Sequence, residues 1–392
     1  MPQSAITFTK QSGGLGRPLA GEDHISGIIF YSGVLPTGFG TDSEKAFFSL
    51  AEAVAAGITS INAYKVLHYH LSEFFRMNPK GVIWVGIYDN PADFLLHDYA
   101  EINTLQLASS GKIRQVALYL EAVTTVNTTV IAAIQSRSEE LFALHMPLIA
   151  LVAFDISAIA DLGTLPDLRA LTAYYVSVVI GEDGNATGKA LADSEGLAIT
   201  CLGASLGLYS LAQVHENIGY VRKFRASEVE LDLAAFANGD LYSNLSAALI
   251  DQLNDRGYTY LRTYVGVVGS YFNGTPTAVT STSDFAYQEN NRTIDKAIRL
   301  VYAALVSELN GPVNIDATSG QLSNSYVEYL KGIGDQALAQ MERAGELSGY
   351  QTLIDPTQNV QATGTIEASV ELVAIGVARN FTVNIGFKQQ LS

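Results

Sequence analysis

Leu148-Ile149-Ala150-Leu151-Val152-Ala153-Phe154 is seven residues without one polar side chain. A strand with one face in water alternates apolar and polar residues, whereas a strand covered on both faces reads as a continuous apolar run. The run is the length of one buried strand and far short of the ~20 residues that span a bilayer. Similar runs stand at Ile28–Tyr31, Val82–Ile87, Val116–Leu120 and Tyr175–Ile180. The segments between them, at 92–110, 124–143 and 155–172, are of helix length. Thr41-Asp42-Ser43-Glu44 reads as a capping box opening a helix to Ala56, stopped by Gly57. Strands and helices in alternation predict an α/β fold over residues 28–205, a mostly parallel sheet with helices on both faces.

Outward from this body the pattern changes. Residues 205–260 read as mainly helical, and 260–269 as a strand rich in Tyr and Val. A helix starts near Asn291, with Ile294, Ala297, Ile298, Val301 and Leu305 on one apolar face. Another runs from Ser325 to Ala344. Ile366, Ala368, Val370 and Leu372 alternate with polar residues, and after Gly376 so do Phe381, Val383, Ile385 and Phe387. These are two strands of period two. At the other end Ile6 and Phe8 mark a short strand, cut off from the body by Gly13, Gly14, Gly16 and Pro18. A strand so isolated needs a partner. The chain divides into an extended arm (1–27), the α/β domain (28–205) and an α+β domain (206–392) ending in a β-arm over about 360–392.

Composition narrows the function. Hydrophobic residues make up 48% of the 392 and charged residues 16%, below the usual quarter. So little charge leaves a surface that other subunits are expected to cover. The net charge of −16 argues against a nucleic-acid partner, which needs a positive field, and against an anionic membrane. The N-terminus has no signal-peptide pattern, and no run is long enough for membrane insertion. A single cysteine, Cys201, makes no internal disulfide.

The motifs that could carry chemistry are incomplete. Gly203-Ala204-Ser205-Leu206-Gly207 matches the nucleophile elbow of hydrolases. That mechanism needs an acid and then a histidine after the serine, and His215 follows with no Asp between. Tight helix packing accounts better for the small residues. Gly184-Asn185-Ala186-Thr187-Gly188-Lys189-Ala190 resembles a phosphate loop but has three residues between its glycines instead of four, and Ala190 where a magnesium-binding hydroxyl belongs. Asp89, Asp93 and Asp98 follow the Val82–Ile87 strand, at the sheet edge where ligands usually sit. The six histidines form no zinc motif. No cofactor, metal or catalytic set is predicted. The alternative is an α/β nucleotide- or small-molecule-binding enzyme with a site near Asp89 or Gly184.

Three further stretches carry a resemblance. They are Val214-His215-Glu216-Asn217-Ile218-Gly219-Tyr220-Val221; Tyr260-Leu261-Arg262-Thr263-Tyr264-Val265-Gly266-Val267 through Gly274-Thr275-Pro276-Thr277 to Asn291-Arg292-Thr293-Ile294-Asp295-Lys296-Ala297-Ile298; and the tail from Asp355-Pro356 to Asn380-Phe381-Thr382-Val383-Asn384-Ile385-Gly386-Phe387. Over the C-terminal half the chain resembles the tail sheath proteins of contractile phage tails and injection systems, closest to a sheath-like phage family formerly of unknown function. The resemblance implies a non-enzymatic structural subunit, with residues 206–392 as a sheath domain. Hexameric rings would stack helically around an inner tube, with baseplate and tail terminator proteins as further partners. It implies assembly in the bacterial cytoplasm into a virion tail or contractile injection particle. It also implies that Ile6, Phe8, Phe381, Val383, Ile385 and Phe387 lie on strands exchanged between subunits, and that a helix near Asp335–Arg343 faces the tube through Glu342, Arg343 and Glu346.

Overall fold

The structure, a computed structural model, describes residues 21–387. A 3-10 turn at Glu22–His24 leads into β1 (Ile25–Tyr31), followed by β2 (Glu44–Phe47), α1 (Leu50–Ala55), α2 (Lys65–Met77) and β3 (Val82–Tyr88). Then α3 (Glu101–Ala108), β4 (Gln115–Leu120), α4 (Thr128–Ala143) and β5 (Ile149–Phe154) alternate. Shorter pieces come next: β6 (Thr172–Ala173), β7 (Val176–Val179), β8 (Gly181–Asp183), α5 (Thr187–Glu195), α6 (Leu202–Leu211) and β9 (Ala234–Phe236). After α7 (Ala247–Asp255) come β10 (Tyr258–Thr259), the hairpin β11 (Leu261–Tyr264) and β12 (Val267–Phe272), and β13 (Ala278–Val279). The chain continues through α8 (Gln288–Leu305), α9 (Asn324–Arg343), β14 (Leu347–Ile354), α10 (Val360–Thr363) and β15 (Ala368–Ala374).

Seven strands form one sheet in the order β10-β7-β5-β4-β1-β3-β2. All neighbours are parallel except β2, which closes one edge antiparallel to β3. Alternation along each strand feeds two cores. Ile28 and Phe30 enter one with Val85, Tyr119 and Leu151, while Ile29 and Tyr31 enter the other with Leu118, Val152 and Phe154. Every residue of β4 and β5 is buried. The apolar runs of the sequence are therefore strands covered on both faces, as expected. The opposite edge strand, β10, comes from beyond residue 206.

Several local expectations fail for identifiable reasons. Residues 44–47 are β2, not helix; α1 begins after Ser49, whose Oγ accepts from the Glu52 amide (3.3 Å) while Glu52 Oε2 accepts from the Phe48 amide (2.9 Å). The working capping box is Ser49-x-x-Glu52. Within 92–110 only α3 is α-helical. Residues 155–172 form two short 3-10 turns, fixed by the Asp161 and Asp167 carboxylates accepting from the Gly163 and Arg169 amides. Between 205 and 260 only α6 and α7 are α-helical. The 260–269 strand is a hairpin turning at Gly266, where φ is +79°.

The C-terminal helices arrive where the periodicity puts them. On α9, Leu338 and Met341 pack with Leu347, and Tyr326, Val327 and Leu330 with Ile354. β15 finds its partner inside the chain, antiparallel on β14, with Val370 and Leu372 turned to the α8–α9 core. No strand is assigned from 375 to 387.

His70, in the middle of α2, is fully buried between Tyr69 and Tyr119, and neither ring nitrogen has a partner among the described residues. Burial drives its pKa down to about 3. Between pH 6.5 and 3 the unfolded chain then holds one proton more than the folded one, so this residue's contribution to stability is lost as pH falls. Lowering the pH from 7.5 to 5 should cost the native chain about 2 kcal/mol more than the His70→Leu variant, at roughly 1.4 kcal/mol per pH unit below 6.5. Urea unfolding at the two pH values measures the difference.

Candidate functional site

At the Gly184 turn β8 ends on Asp183, which is buried. Its carboxylate accepts from the amides of Asn185 (3.3 Å), Ala186 (3.0 Å) and Gly188 (3.1 Å). These are the amides a phosphate loop would turn on its ligand, and the chain's own anion occupies them. Burial pushes the Asp183 carboxyl up in spite of these bonds. The glycines serve close approach: a Cβ on Gly184 would meet the Leu233 carbonyl at 2.8 Å, and one on Gly188 the Tyr69 hydroxyl at 2.5 Å. Lys189 is paired with Asp193. An open groove of about 530 Å³ lies alongside, with the carboxylates Glu182, Asp193 and Asp240 set against that lysine. Burial raises Glu182 to about 8. With Lys189 already paired to Asp193, the groove is poorly furnished for an anion.

Asp89, Asp93 and Asp98 are all exposed after β3 and do not converge. Asp93 accepts from the Leu95 amide (2.8 Å) and Asp98 from the Ala100 amide (3.2 Å), so both brace turns. The G-x-S-x-G motif lies inside α6, where that helix crosses α2. A Cβ on Gly203 would collide with the His70 carbonyl oxygen, and one on Gly207 would stand 2.7 Å from the Phe74 carbonyl oxygen. Ser205 is fully buried, its hydroxyl unpartnered among the described residues. Among the described residues no group of three or more His, Cys, Asp or Glu side chains is placed to hold a metal, and no helix is long and apolar enough to cross a membrane.

The polar groups that do converge surround the first half of α8. Of the apolar stripe expected there, Ala297 is buried and Ile294, Ile298, Val301 and Leu305 are half-buried, while the other fully buried positions are polar: Gln288, Glu289, Asn291, Arg292, Thr293 and Asp295. Gln288 Nε2 donates to the Tyr175 carbonyl (2.9 Å) and to Ser177 Oγ (2.9 Å), beside β7. Arg292 donates to the Tyr209 (2.8 Å) and Ala212 (3.1 Å) carbonyls at the end of α6. Asp23 lies 2.7 Å from Lys296 and 2.8 Å from Arg299, and Glu22 pairs with Arg114. Burial acts to raise the Asp23 carboxyl, yet Lys296, Arg299 and Arg292 hold it below its usual value. Burial takes Asp295 up to about 7. Asp23, Arg114, Val214, Arg292, Asp295 and Arg299 enclose about 10 Å³, room for one water at most. This is a structural ion cluster. Its one sequence signal is the placing of Arg292 and Asp295 in a helix whose neighbours leave them nowhere to go but inward.

The assembly residues divide. Glu342 and Arg343 are exposed at the end of α9. Glu346 is 4% exposed and bound to Lys296 at 2.7 Å, so its carboxylate is engaged inside the subunit. Phe381, Val383, Ile385 and Phe387 are each at least 73% exposed. Ile6 and Phe8 lie outside the described residues. Two family models cover the chain, the N-terminal domain of DUF2586 over residues 3–275 and the C-terminal domain of DUF2586 over 284–392, and the chain belongs to this family. No curated protein matches it. Among solved structures, a chain in the cryo-EM structure of the anti-feeding prophage (AFP) baseplate in contracted state shares its fold, with a TM-score of 0.57 and 15% identity over 99% of each chain.

Substitution in the α2–α6 crossing separates packing from catalysis. Gly203→Ala should destabilise the fold by about 1–3 kcal/mol or more, because the new methyl meets backbone. Ser205→Ala, which removes an unpaired buried hydroxyl, should be neutral or stabilising. Urea midpoints read both effects.

Proposed function

We propose that the chain is a structural subunit of a contractile tail sheath. It polymerises in helical rings around an inner tube and contracts to drive that tube through a target envelope. The observation that carries this reading is the run Phe381, Val383, Ile385 and Phe387: a period-two apolar face, exposed, with no strand partner in its own chain among the described residues. Such a segment fits β-augmentation, in which main-chain bonds tie two molecules and alternate side chains fill the acceptor's pockets. A ribbon of two strands, β14 and β15, leaves the outer edge of β15 unpaired among the described residues to receive it, while on the outer edge of β14 the Thr352 amide is taken by Asp335 of α9 (2.9 Å). The likeness of fold to a chain of a contracted AFP baseplate over the full length supports the broader part of this reading, a structural subunit of a contractile system.

Contraction in this scheme draws on contact area gained between subunits, since the one phosphate-loop-like turn is filled by Asp183. Glu342 and Arg343 remain the candidates for tube contact. In this proposal the second exchanged strand is assigned to residues 1–10, with Ile6 and Phe8, which lie outside the described residues.

Negative-stain electron microscopy of the purified chain at high concentration should show rings or tubes. Isolated rings would favour a collar at a baseplate, and long tubes a sheath. Deleting 380–392, or 1–10, should abolish the polymers and leave a folded monomer. A full-length chain that stays monomeric at every concentration would refute the proposal, and a truncated chain that unfolds would assign those strands to the subunit's own core.

A further inference from the structure

Between the end of β15 and residue 387 one side chain ties the arm to the body. Arg379 Nη2 lies 2.5 Å from Glu289 Oε1, and its Cζ is 3.3 Å from the centre of the Tyr287 ring. Glu289 opens α8 and is 1% exposed. Its Oε1 also accepts from Asn217 Nδ2 (3.2 Å), and its Oε2 from the Thr275 hydroxyl. Among the described residues Arg379 is the one cation paired with it. A carboxylate so deeply buried is costly without a counter-charge, and a planar guanidinium is the cation that both stacks on an aromatic ring and forks onto a carboxylate.

We infer that Tyr287, Glu289, Asn217 and Thr275 form a guanidinium socket whose ligand is Arg379, and that this socket anchors the C-terminal arm to the first turn of α8. The N-terminal segment is fastened to the same helix with opposite signs, through Asp23 on Lys296 and Arg299. Asp23 and Arg379, near the two ends of the described chain, are therefore both tied to α8. The segment free to pair elsewhere begins at Asn380, and from there to Phe387 it reaches at most ~27 Å at ~3.4 Å per residue. The socket stands without the sheath reading; its use in assembly rests on that reading.

Trypsin tests the socket directly, because it must take the Arg379 side chain into its own pocket. On the full chain at a concentration too low to assemble, cleavage after Arg379 should be at least ten-fold slower than cleavage after Lys388, a site in the same arm. Glu289→Gln removes the counter-charge. Arg379→Lys keeps a trypsin site but loses the planar group that lies on the Tyr287 ring. Each should raise cleavage at position 379 by ten-fold or more, with the circular dichroism spectrum unchanged. Equal cleavage at the two sites of the native chain would overturn the inference, as would a slow site that Arg379→Lys leaves slow. Should Glu289→Gln fail to fold, the lysine variant alone decides. A native chain that shows the slow site yet never polymerises would sink the sheath reading and leave the socket standing.

Discussion

Everything in this molecule is arranged around a parallel sheet that must be covered on both faces. Strands β4 and β5 have no residue turned to water, so each needs helices above and below it. On one side that demand brings α2 against α6 so closely that only glycine fits at 203 and 207. It also takes His70 out of reach of any partner among the described residues. At the carboxyl ends of the strands, where a parallel sheet usually holds its ligand, the chain's own carboxylates take up backbone amides beside the open groove. Asp155, just past β5, accepts from the Ala198 amide (3.0 Å), and Asp183 closes the neighbouring turn.

Some of the few charges stand in an unusual place: Asp23, Arg114, Arg292, Asp295 and Arg299 gather where α8 meets the body, with Arg114, Arg292 and Asp295 buried. Buried ion pairs seldom add net stability, because desolvation consumes most of the attraction, but removing one partner is severe. They fix a unique fit. Asp295, raised to about 7, contributes stability that is full below its unfolded value near 4 and is lost as pH rises through 7. His70 acts in the opposite sense. Between about pH 4 and 6.5 the two slopes cancel, so for these two groups together stability is greatest there and falls on either side.

The sheet was readable because an apolar run too short to cross a membrane has little to become except a strand covered on both faces. Ile28–Tyr31, Val82–Ile87, Val116–Leu120 and the run ending at Phe154 all became strands. The same reading failed where helix length stood in for helix chemistry. Residues 155–172 carry Asp161, Gly163, Pro166 and Asp167, a turn composition, and they fold as turns. Thr41-x-x-Glu44 has the spacing of a cap, but Lys45 to Phe47 pair with β3, and the true cap follows at Ser49. The socket at Glu289 could not be seen in sequence at all. Its members stand at 217, 275, 287, 289 and 379, and only the fold makes them neighbours.

The exposed arm is the point at which burial within one chain runs out. Ordering the seven residues 381–387 costs ~1–2 kcal/mol each. Seating four apolar side chains returns ~1.5–3 kcal/mol apiece, and each backbone bond of a new ladder about 1 kcal/mol. The two sides differ by only a few kcal/mol, so a single arm makes a weak and reversible link. Many such links in a closed ring make a strong one, because each junction formed places the next arm near its acceptor. In the proposed assembly a root pinned at Arg379 would sharpen that advantage by fixing where the strand starts, while residues 380–387, paired with no strand of their own chain among the described residues, would let the bodies turn without letting go. For a subunit proposed to rotate while staying attached the combination fits: stiff in the sheet, pinned at α8, and unpaired over 380–387.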